Sequence, residues 1–149
     1  MSLKKQIQSE KVKAMKSNEK FTRNTLTLIL SKIKQYEVDE RSDLTNEDTI
    51  VLSLITKMIK ERKDSIKMFK EADRVDLIQK ETNEITIIEQ FLPQQLSEDE
   101  ISNIIDKVFE TINPQSLKDM GKVMGILKPK IQGKVDMGSV SSLVKNILN

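Results

Sequence analysis

Apolar residues recur three and four positions apart along most of the chain, which is the spacing of amphipathic helices. No segment alternates apolar and polar residues for long enough to form a strand, so the predicted fold class is all-α. The first four predicted helices cover residues 3–17, a span from the break at Ser17–Lys20 to about Glu37, a long span ending near Phe69, and a span that stops at Pro93. Their apolar positions are Leu3, Ile7, Val12 and Met15, then Leu26, Ile29, Leu30 and Ile33, then Val51, Leu54, Ile55, Met58, Ile59, Ile66 and Phe69, and finally Leu77, Ile78, Ile85, Ile88 and Leu92.

Polar residues at the breaks predict where these helices begin. Thr45, with an acid three positions later, is the predicted N-cap of the third helix, and Asp73 that of the fourth. Residues 39–43 are polar and predict a loop. Pro93 lacks a backbone N–H and disfavours helical geometry at Leu92, so the predicted domain boundary is at residues 93–96. The prediction is an N-terminal helical lobe over 1–93 and a smaller lobe over 94–149.

The C-terminal segment predicts three more helices. Ser97 and Glu100 match a capping box, and the helix that follows carries Ile101, Ile104, Ile105, Val108 and Ile112 until Asn113-Pro114. Ser116 with Asp119 caps a sixth helix, which Lys128-Pro129 is predicted to end. Gly133 suits a left-handed turn, and Asp136 caps a seventh helix. The apolar positions of these last two helices are Leu117, Met120, Val123, Met124 and Leu127, then Val140, Leu143, Val144, Ile147 and Leu148.

All four glycines of the chain, Gly121, Gly125, Gly133 and Gly138, lie within residues 116–139. Glycine in a helix interior lowers helix stability by about 1 kcal/mol, so its use there predicts a close backbone approach or a special turn. Gly121 and Gly125 are four residues apart and therefore share one helix face. We expect Gly121, Gly125 and Gly133 to allow close approach of another backbone, from a neighbouring helix or from a partner.

Composition limits the available chemistry. The 149 residues include no cysteine and no histidine, which removes thiol nucleophiles, thiolate metal sites and the commonest general base. The sequence therefore predicts no catalytic residue, no metal and no cofactor. No run of about 18 apolar residues is present, so we expect no membrane partner and a soluble protein of the cytoplasm, or of an organellar matrix in a eukaryote.

The net charge of +2 hides an uneven distribution. Residues 1–20 hold six lysines and two acids, residues 21–114 hold thirteen basic and nineteen acidic side chains, and residues 115–149 hold six lysines and two acids. Five lysines, Lys118, Lys122, Lys128, Lys130 and Lys134, follow one another closely with only Asp119 opposing them. Together with the glycines and with helix-start amides near Asp136, they predict contacts to nucleic-acid phosphates. The alternative is an ordinary solvated lysine face.

Other candidate chemistry is weaker. Gly133-Lys134 is not a phosphate-binding loop, because Lys128 and Val135 occupy positions that the motif gives to glycine and to serine or threonine. An acid–base pair or oxygen-ligand metal site could use Glu61, Asp64, Asp73, Asp76, Glu81 and Glu84, but basic residues alternate with them, which favours surface ion pairs. No aromatic residue follows Phe109, so the basic segment has no stacking platform. An RNA bound there is expected to be read through shape and backbone.

Several short motifs together resemble the GatB/YqeY family. They are Arg62-Lys63-Asp64-Ser65 with Phe69, Arg74-Val75-Asp76-Leu77, Glu89-Gln90-Phe91-Leu92-Pro93-Gln94-Gln95-Leu96-Ser97, Asp119-Met120-Gly121-Lys122-Val123-Met124-Gly125, Lys128-Pro129-Lys130 and Gly133-Lys134-Val135-Asp136. This family resembles the C-terminal domain of the B subunit of the tRNA-dependent aspartyl/glutamyl amidotransferase, a helical appendage that helps to hold tRNA.

The resemblance implies a stand-alone tRNA-holding module, with tRNA and a tRNA-processing enzyme as partners. Carbon–nitrogen ligase activity with glutamine as amide donor is a family label that this chain alone is not expected to carry, because the catalytic parts of the amidotransferase lie in other domains. An enzyme in its own right would need to transfer amide from glutamine to charged tRNA unaided. The alternative function is a protein-interaction adaptor without nucleic-acid binding, in which the glycines pack within the lobe and the lysines are solvated.

Overall fold

The computed structural model describes all residues 1–149 and contains seven α-helices and no strand, which confirms the predicted all-α class. The helices are α1 (Leu3–Lys16), α2 (Lys20–Glu40), α3 (Asp48–Glu71), α4 (Val75–Ile88), α5 (Glu98–Ile112), α6 (Met120–Ile131) and α7 (Met137–Leu148). Short 3-10 turns follow α4 at Glu89–Phe91 and precede α6 at Leu117–Asp119. The chain forms two compact units, Met1–Leu92 and Pro93–Asn149.

The first unit consists of α1 to α4. Helix α1 packs along α2, and α3 packs along α4. Each helix turns its apolar positions inward, and burial of one such side chain contributes about 1.5–3 kcal/mol. The fully buried side chains of this core are Ile7, Leu26, Ile29, Ile33, Leu44, Val51, Ile55 and Ile88.

Polar contacts join the start of α1 to the ends of its neighbours. The amide of Leu3 donates to Oδ1 of Asp48 at 3.0 Å. Lys4 Nζ lies 2.7 Å from Oε2 of Glu37, and the same oxygen accepts from the amide of Leu44 at 2.8 Å. Because Leu44 is completely buried, the connection between α2 and α3 is anchored in the core by one side chain and one carboxylate.

Two predicted helix starts in this unit were wrong. Thr45 does not cap α3, because its amide and hydroxyl both donate to Oδ1 of Asp43, and α3 begins only at Asp48. Asp73 does not cap α4: it has a left-handed backbone with φ 54°, in the turn that follows α3. Short polar residues commonly take part in local turns instead of capping a helix. Thr45 does so through its hydrogen bonds to Asp43, and Asp73 through its left-handed backbone.

Two predicted helix features also differ from the structure. Helix α2 continues through residues 39 and 40, predicted as loop, and ends at Arg41, whose φ is 51°. On α1 the inward face consists of Leu3, Ile7 and Ala14, whereas Val12 and Met15 are exposed at 48% and 55%. Ala14 lies seven residues after Ile7, two full turns along the same face, so the small residue is buried and the larger ones are not.

The second unit consists of α5, α6 and α7, and α6 packs against both of the others. Its core contains Ile105, Val108, Val123, Leu127, Ile131, Val135, Val140 and Val144. The capping box of Ser97 and Glu100 is present, and Asn113 ends α5 with φ 52°. The segment entering this unit is held to the α6–α7 turn, where the Leu96 amide donates to the Lys134 carbonyl at 2.9 Å.

Helix α6 does not end at Lys128-Pro129 as predicted; it continues to Ile131 with Pro129 inside it. A proline within a helix costs about 3 kcal/mol because it removes one N–H and crowds the carbonyl four residues earlier. Burial of Ile131, which is 1% exposed, offsets much of this cost. The crowded carbonyl belongs to Gly125, which is exposed and has no side chain to shield it from water.

On α7 the structure buries only part of the predicted apolar face. Val140 and Val144 are buried, whereas Leu143 and Ile147 are 47% and 55% exposed. Asp136 caps the helix as predicted, accepting from the amide of Gly138 at 3.1 Å. No helix in the structure is both long enough and apolar enough to cross a membrane.

Candidate nucleic-acid interface

Helix α6 separates its buried and exposed positions cleanly. Val123, Leu127 and Ile131 follow one another at four-residue spacing and are almost fully buried. Gly121, Gly125 and Pro129 follow one another at the same spacing and are exposed. Since successive residues of a helix are rotated by a fixed angle, the second row lies on the solvent side of α6, roughly opposite the first. We call this second row the glycine row.

The two glycines of α6 have open space where a side chain would begin. A Cβ atom built on Gly121 or on Gly125 would have no other heavy atom within 4 Å. Neither glycine is therefore required for packing of α6 against its neighbours. Close approach of a neighbouring helix, one of the two uses expected for these glycines, is excluded for both. A row of backbone without side chains is left facing the solvent.

Glycine is needed at position 133 for a different reason, the backbone conformation of a turn. Its φ of 77° lies in the left-handed region. Glycine adopts this region without the steric cost that other residues incur. It forms the turn between α6 and α7, and its carbonyl accepts from the side-chain amide of Gln95 at 2.8 Å. The predicted left-handed turn is confirmed, and it accounts for this glycine without a partner.

The structure brings three of the five candidate lysines beside the glycine row by helical position: Lys118, in the 3-10 turn, Lys122 and Lys128. Lys130 is seven residues after Val123, two full turns along the helix, and therefore lies nearer the buried row. All four are exposed. Lys134 is separate, because it lies in the turn beyond α6 and is half-buried. None of the five makes an ion pair, since every ion pair in the structure joins residues before Pro93.

Both acids of this segment are engaged by backbone amides at helix starts. Asp119 accepts from the amides of Gln115 and Ser116 at 2.8 and 3.4 Å, and these hydrogen bonds, the Gln115 bond foremost, hold the pKa of Asp119 below its ordinary value. Asp136 accepts from the amide of Gly138 and from the hydroxyl of Ser139 at 3.0 Å. The carboxylates that are nearest in sequence thus stabilise helix ends, and the charge of Lys122 contributes further to the lowered pKa of Asp119.

The capping contact of Asp136 bears on the expected role of the α7 start. The amides at the start of α7 were expected to face an external anion, but a carboxylate of the chain already accepts from one of them. A helix start that is occupied by its own cap offers a ligand fewer donors. The amide of Gly138 is therefore engaged within the chain.

The acidic residues of the first unit do not form a site. Arg62 lies between two of them, with its Nε 2.8 Å from Oε2 of Glu84 and 3.9 Å from Oε2 of Glu81. Glu84 is buried at 6% exposure, so the interpretation as surface ion pairs is wrong for it. It holds for Asp76, which pairs with Arg74, whereas Glu61, Asp64 and Asp73 form no ion pair. No three acidic side chains converge as metal ligands would. The sequence signal for burial was the position of Glu84 one turn before Ile88 on the inward face of α4.

The family assignment follows from comparison with known proteins. The chain matches the family model for Yqey-like proteins over residues 4–148. It therefore belongs to the YqeY family, as its motifs indicated.

Curated relatives come from fungi. An uncharacterised protein of Schizosaccharomyces pombe is 36% identical over 91 residues, covering 61% of this chain and 72% of the relative. Altered inheritance of mitochondria protein 41, mitochondrial, of Pyrenophora tritici-repentis is 27% identical over 145 residues, covering 95% of this chain and 78% of the relative. The protein of the same name from Kluyveromyces lactis is 37% identical over 79 residues, and the match covers 53% of this chain and 42% of the relative.

Proposed function

We propose that this protein is a stand-alone tRNA-holding module that works beside a tRNA-dependent amidotransferase and does not catalyse amide transfer itself. The observation that carries the proposal is the glycine row of α6, whose glycines have open space where side chains would begin and which is flanked by exposed lysines without ion-pair partners. The resemblance to the C-terminal domain of the amidotransferase B subunit supports the choice of tRNA. The proposed compartment is the cytoplasm, or the mitochondrial matrix in a eukaryote, as the names of the fungal relatives suggest.

The glycine row is suited to a sugar–phosphate backbone. Without side chains at Gly121 and Gly125, a ligand can approach the helix backbone more closely, while Lys118 and Lys122 reach its phosphates. Double-stranded RNA is recognised mostly through phosphates and 2′-hydroxyl groups across its shallow minor groove. The absence of an aromatic residue after Phe109 argues against stacking of unpaired bases. The proposed ligand is therefore a base-paired region of tRNA.

One backbone atom favours RNA over DNA. In a regular helix the carbonyl of Gly125 would accept from the amide of residue 129, but that residue is proline and has no N–H. No side chain and no loop amide donates to this carbonyl instead. Gly125 is exposed as a residue, and we propose that its carbonyl accepts a hydrogen bond from a ribose 2′-hydroxyl, a donor that DNA lacks.

The experiment measures binding of the purified full chain to tRNA across a salt series. The test variant carries Lys122→Ala, Lys128→Ala and Lys130→Ala, and the matched control carries Lys60→Ala, Lys63→Ala and Lys67→Ala on α3, which removes the same charge. We expect the logarithmic salt slope to shrink by about one unit for each lysine of the test variant that touches a phosphate in the wild-type complex. The slope of the control should stay near that of wild type.

Equal weakening of both triple variants would mean that only the overall charge matters, and it would overturn the proposal. Failure of the wild-type chain to bind tRNA at low salt would overturn it as well. Amide transfer from glutamine to charged tRNA by the chain alone would contradict the non-catalytic part of the proposal.

A second candidate function has one observation in its favour. Leu143 and Ile147 are one turn apart on α7 and about half exposed, which is consistent with a protein-binding strip. In that case the chain is an adaptor, and its complex with a protein partner is insensitive to salt because burial of apolar area drives it. Replacing both residues with serine would then abolish formation of this complex. The Lys122→Ala variant would form it as well as wild type does.

A further inference from the structure

Helices α2 and α3 border a groove on the surface of the first unit. Both helices pack against α4, and the groove between them has a volume of about 220 Å³. Its apolar lining consists of Met58, which is buried, and of Tyr36 and Leu54, which are partly buried. Pockets for drug-sized ligands typically have about 300–1,000 Å³. The smaller volume favours side chains of a protein surface over a small molecule.

Exposed apolar side chains continue the line of this groove along both helices. On α2, Phe21, Leu28 and Lys32 are spaced by seven and four residues and therefore share one face with the groove lining. On α3, Met68 is seven residues after Glu61, two turns along the same face. Phe21, Leu28 and Met68 are 42%, 45% and 68% exposed. We call the groove and these three residues the α2–α3 face; apolar side chains gathered in this way indicate a protein-binding surface.

Two lysines and two acids line the groove, one of each on either helix. They are Lys32 and Asp39 on α2, and Lys57 and Glu61 on α3, and all four are exposed. None of them forms an ion pair within the chain. Nucleic acids and anionic membranes attract surfaces with an excess of positive charge. The balanced charges of the α2–α3 face therefore favour a protein partner that presents both signs.

A surface with equal numbers of opposite charges can be complementary to itself. In a two-fold symmetric dimer the same patch of both subunits meets, so the patch must match its own copy. We infer that the protein forms such a dimer, in which the α2–α3 face of one copy packs on the same face of a second copy. The lysines of each copy then lie beside the acids of the other, and the exposed apolar side chains are buried between them.

The α2–α3 face is large enough for a reversible dimer. Helices α2 and α3 contain 21 and 24 residues. Their lengths are therefore about 31 and 36 Å, and two such helices side by side, each about 10 Å across, present roughly 600 Å². A standard stable interface buries about 800 Å² of each partner. Since the face is somewhat smaller, we expect a dimer that dissociates on dilution, with a Kd on the order of 10–100 µM.

The test reverses one sign of charge on the face at a time. Lys32→Glu with Lys57→Glu makes the face entirely acidic, and Asp39→Lys with Glu61→Lys makes it entirely basic. Sedimentation velocity of the purified full chain, across a concentration series that spans the expected Kd, measures self-association. We expect each variant alone to raise the Kd by at least about ten-fold, because like charges then face each other. An equal mixture of the two variants should restore the dimer, since an acidic face then meets a basic one.

Two controls separate the face from overall charge and exposure. Lys63→Glu with Lys67→Glu changes the net charge as much as the acidic-face variant does, but on the side of α3 away from Leu54, and it should dimerise as wild type does. Leu28→Asp should abolish the dimer by placing a charge among apolar side chains. Val12→Asp on α1, where the valine is exposed to nearly the same extent, should leave it intact.

The outcomes decide the inference independently of tRNA binding. A wild-type chain that stays monomeric throughout the series would overturn it, and so would dimerisation of both charge variants on their own. Failure of the mixture to recover the dimer that each variant has lost would show that the charges do not oppose a second copy, and the inference would again be wrong. If circular dichroism shows that a charge variant is unfolded, Leu28→Asp against Val12→Asp decides, and equal self-association of these two would contradict the dimer.

Discussion

Nε of Arg62 on α3 lies 2.8 Å from Oε2 of Glu84 on α4, and the two side chains are only 15% and 8% exposed. Nη1 of the same arginine also donates to the carbonyl of Met58 at 3.2 Å. The pair joins the two helices of this hairpin through a charge contact at the edge of the core.

Removing one partner of this pair should destabilise the protein strongly. We expect Arg62→Ala to lower the free energy of unfolding by about 3 kcal/mol, because the carboxylate of Glu84 is left buried without its cation. Urea denaturation followed by circular dichroism measures the change. Arg74→Ala is the control, since its pair with Asp76 is exposed. Such a pair contributes less than about 1 kcal/mol. A loss for Arg62→Ala no larger than that of the control would contradict the assignment of Glu84 as buried and paired.

Acid should weaken the junction of α1, α2 and the loop between α2 and α3. The Lys4 hydrogen bond, followed by the Leu44 amide, lowers the pKa of Glu37, and hydrogen bonds from Thr45 lower the pKa of Asp43 to about 2. A carboxyl whose pKa is lower in the folded state stabilises that state above its unfolded pKa and loses the contribution as the pH falls through its folded pKa. We therefore expect stability to fall between roughly pH 5 and pH 2.

The Glu37→Gln variant tests this pH dependence. It should be less stable than wild type at neutral pH and should lose less stability on acidification, as measured by thermal melts across the pH range. At the alkaline end the sign is reversed: the Glu37 hydrogen bond raises the pKa of Lys4, so that contribution disappears only as the pH rises past the raised value. Parallel acid profiles for wild type and variant would exclude this carboxylate as the cause.

Arg41 offers a simple stabilising substitution. It ends α2 with φ 51°. This conformation costs a residue with a side chain about 1–2 kcal/mol more than it costs glycine. Part of that gain is lost to the greater freedom of glycine in the unfolded chain. We expect Arg41→Gly to raise the free energy of unfolding by about 0.5 kcal/mol, whereas Glu40→Gly, one residue earlier in the helix, lowers it by up to about 1 kcal/mol. Destabilisation by both would argue that the Arg41 side chain makes a stabilising contact.

The glycine row should be dispensable for folding and needed for binding. We expect Gly121→Ala and Gly125→Ala, made together, to stabilise the protein by up to about 1 kcal/mol for each change, because alanine favours the helix. The added methyl groups meet no atom of the chain. The same variant should bind tRNA more weakly, since the methyl groups hold the RNA backbone away.

The contrasting control for the glycine row is Gly133→Ala. It should be destabilised, because Gly133 has φ 77°. A residue with a side chain adopts that conformation only at a steric cost. Stabilisation of the double alanine variant with unchanged tRNA binding would remove the glycines from the interface.

Pro129 links the stability of α6 to the choice between RNA and DNA. Pro129→Ala restores a backbone N–H that can donate a hydrogen bond to the Gly125 carbonyl, so we expect the free energy of unfolding to rise by about 1–3 kcal/mol. Because that carbonyl then has a partner within the helix, preference for an RNA duplex over a DNA duplex of the same sequence should decrease, with an unchanged salt slope. Equal preference in wild type and variant would show that the carbonyl does not contact the ribose.

The features predicted correctly from sequence depend on short-range chemistry. Ser97 with Glu100, the turn at Gly133 and the cap at Asp136 each involve residues within three positions of one another, and the periodic apolar positions identify the helices themselves. Ser116 with Asp119 forms the predicted capping box, but on the 3-10 turn Leu117–Asp119, and α6 begins only after it, at Met120. The predicted N-caps at Thr45 and Asp73 were wrong because each residue takes part in another local turn: Thr45 donates to Asp43, and Asp73 has a left-handed backbone after α3. The predicted end of α6 at Pro129 was wrong because the sequence shows only the local cost of a proline within a helix. The burial of Ile131 that offsets this cost depends on the packing of the second unit.

The sequence by itself determined the all-α class, the approximate helix spans, the family and the clustering of lysine and glycine after Ser116, because composition, spacing and motif order are properties of the chain alone. The tertiary structure decided which apolar residues are buried: on α1 Ala14 is buried, whereas Val12 and Met15 are exposed. It also paired Arg62 with the buried Glu84. It also decided that nothing packs on Gly121 and Gly125, since a contact between distant residues depends on how the helices pack and not on their local sequence.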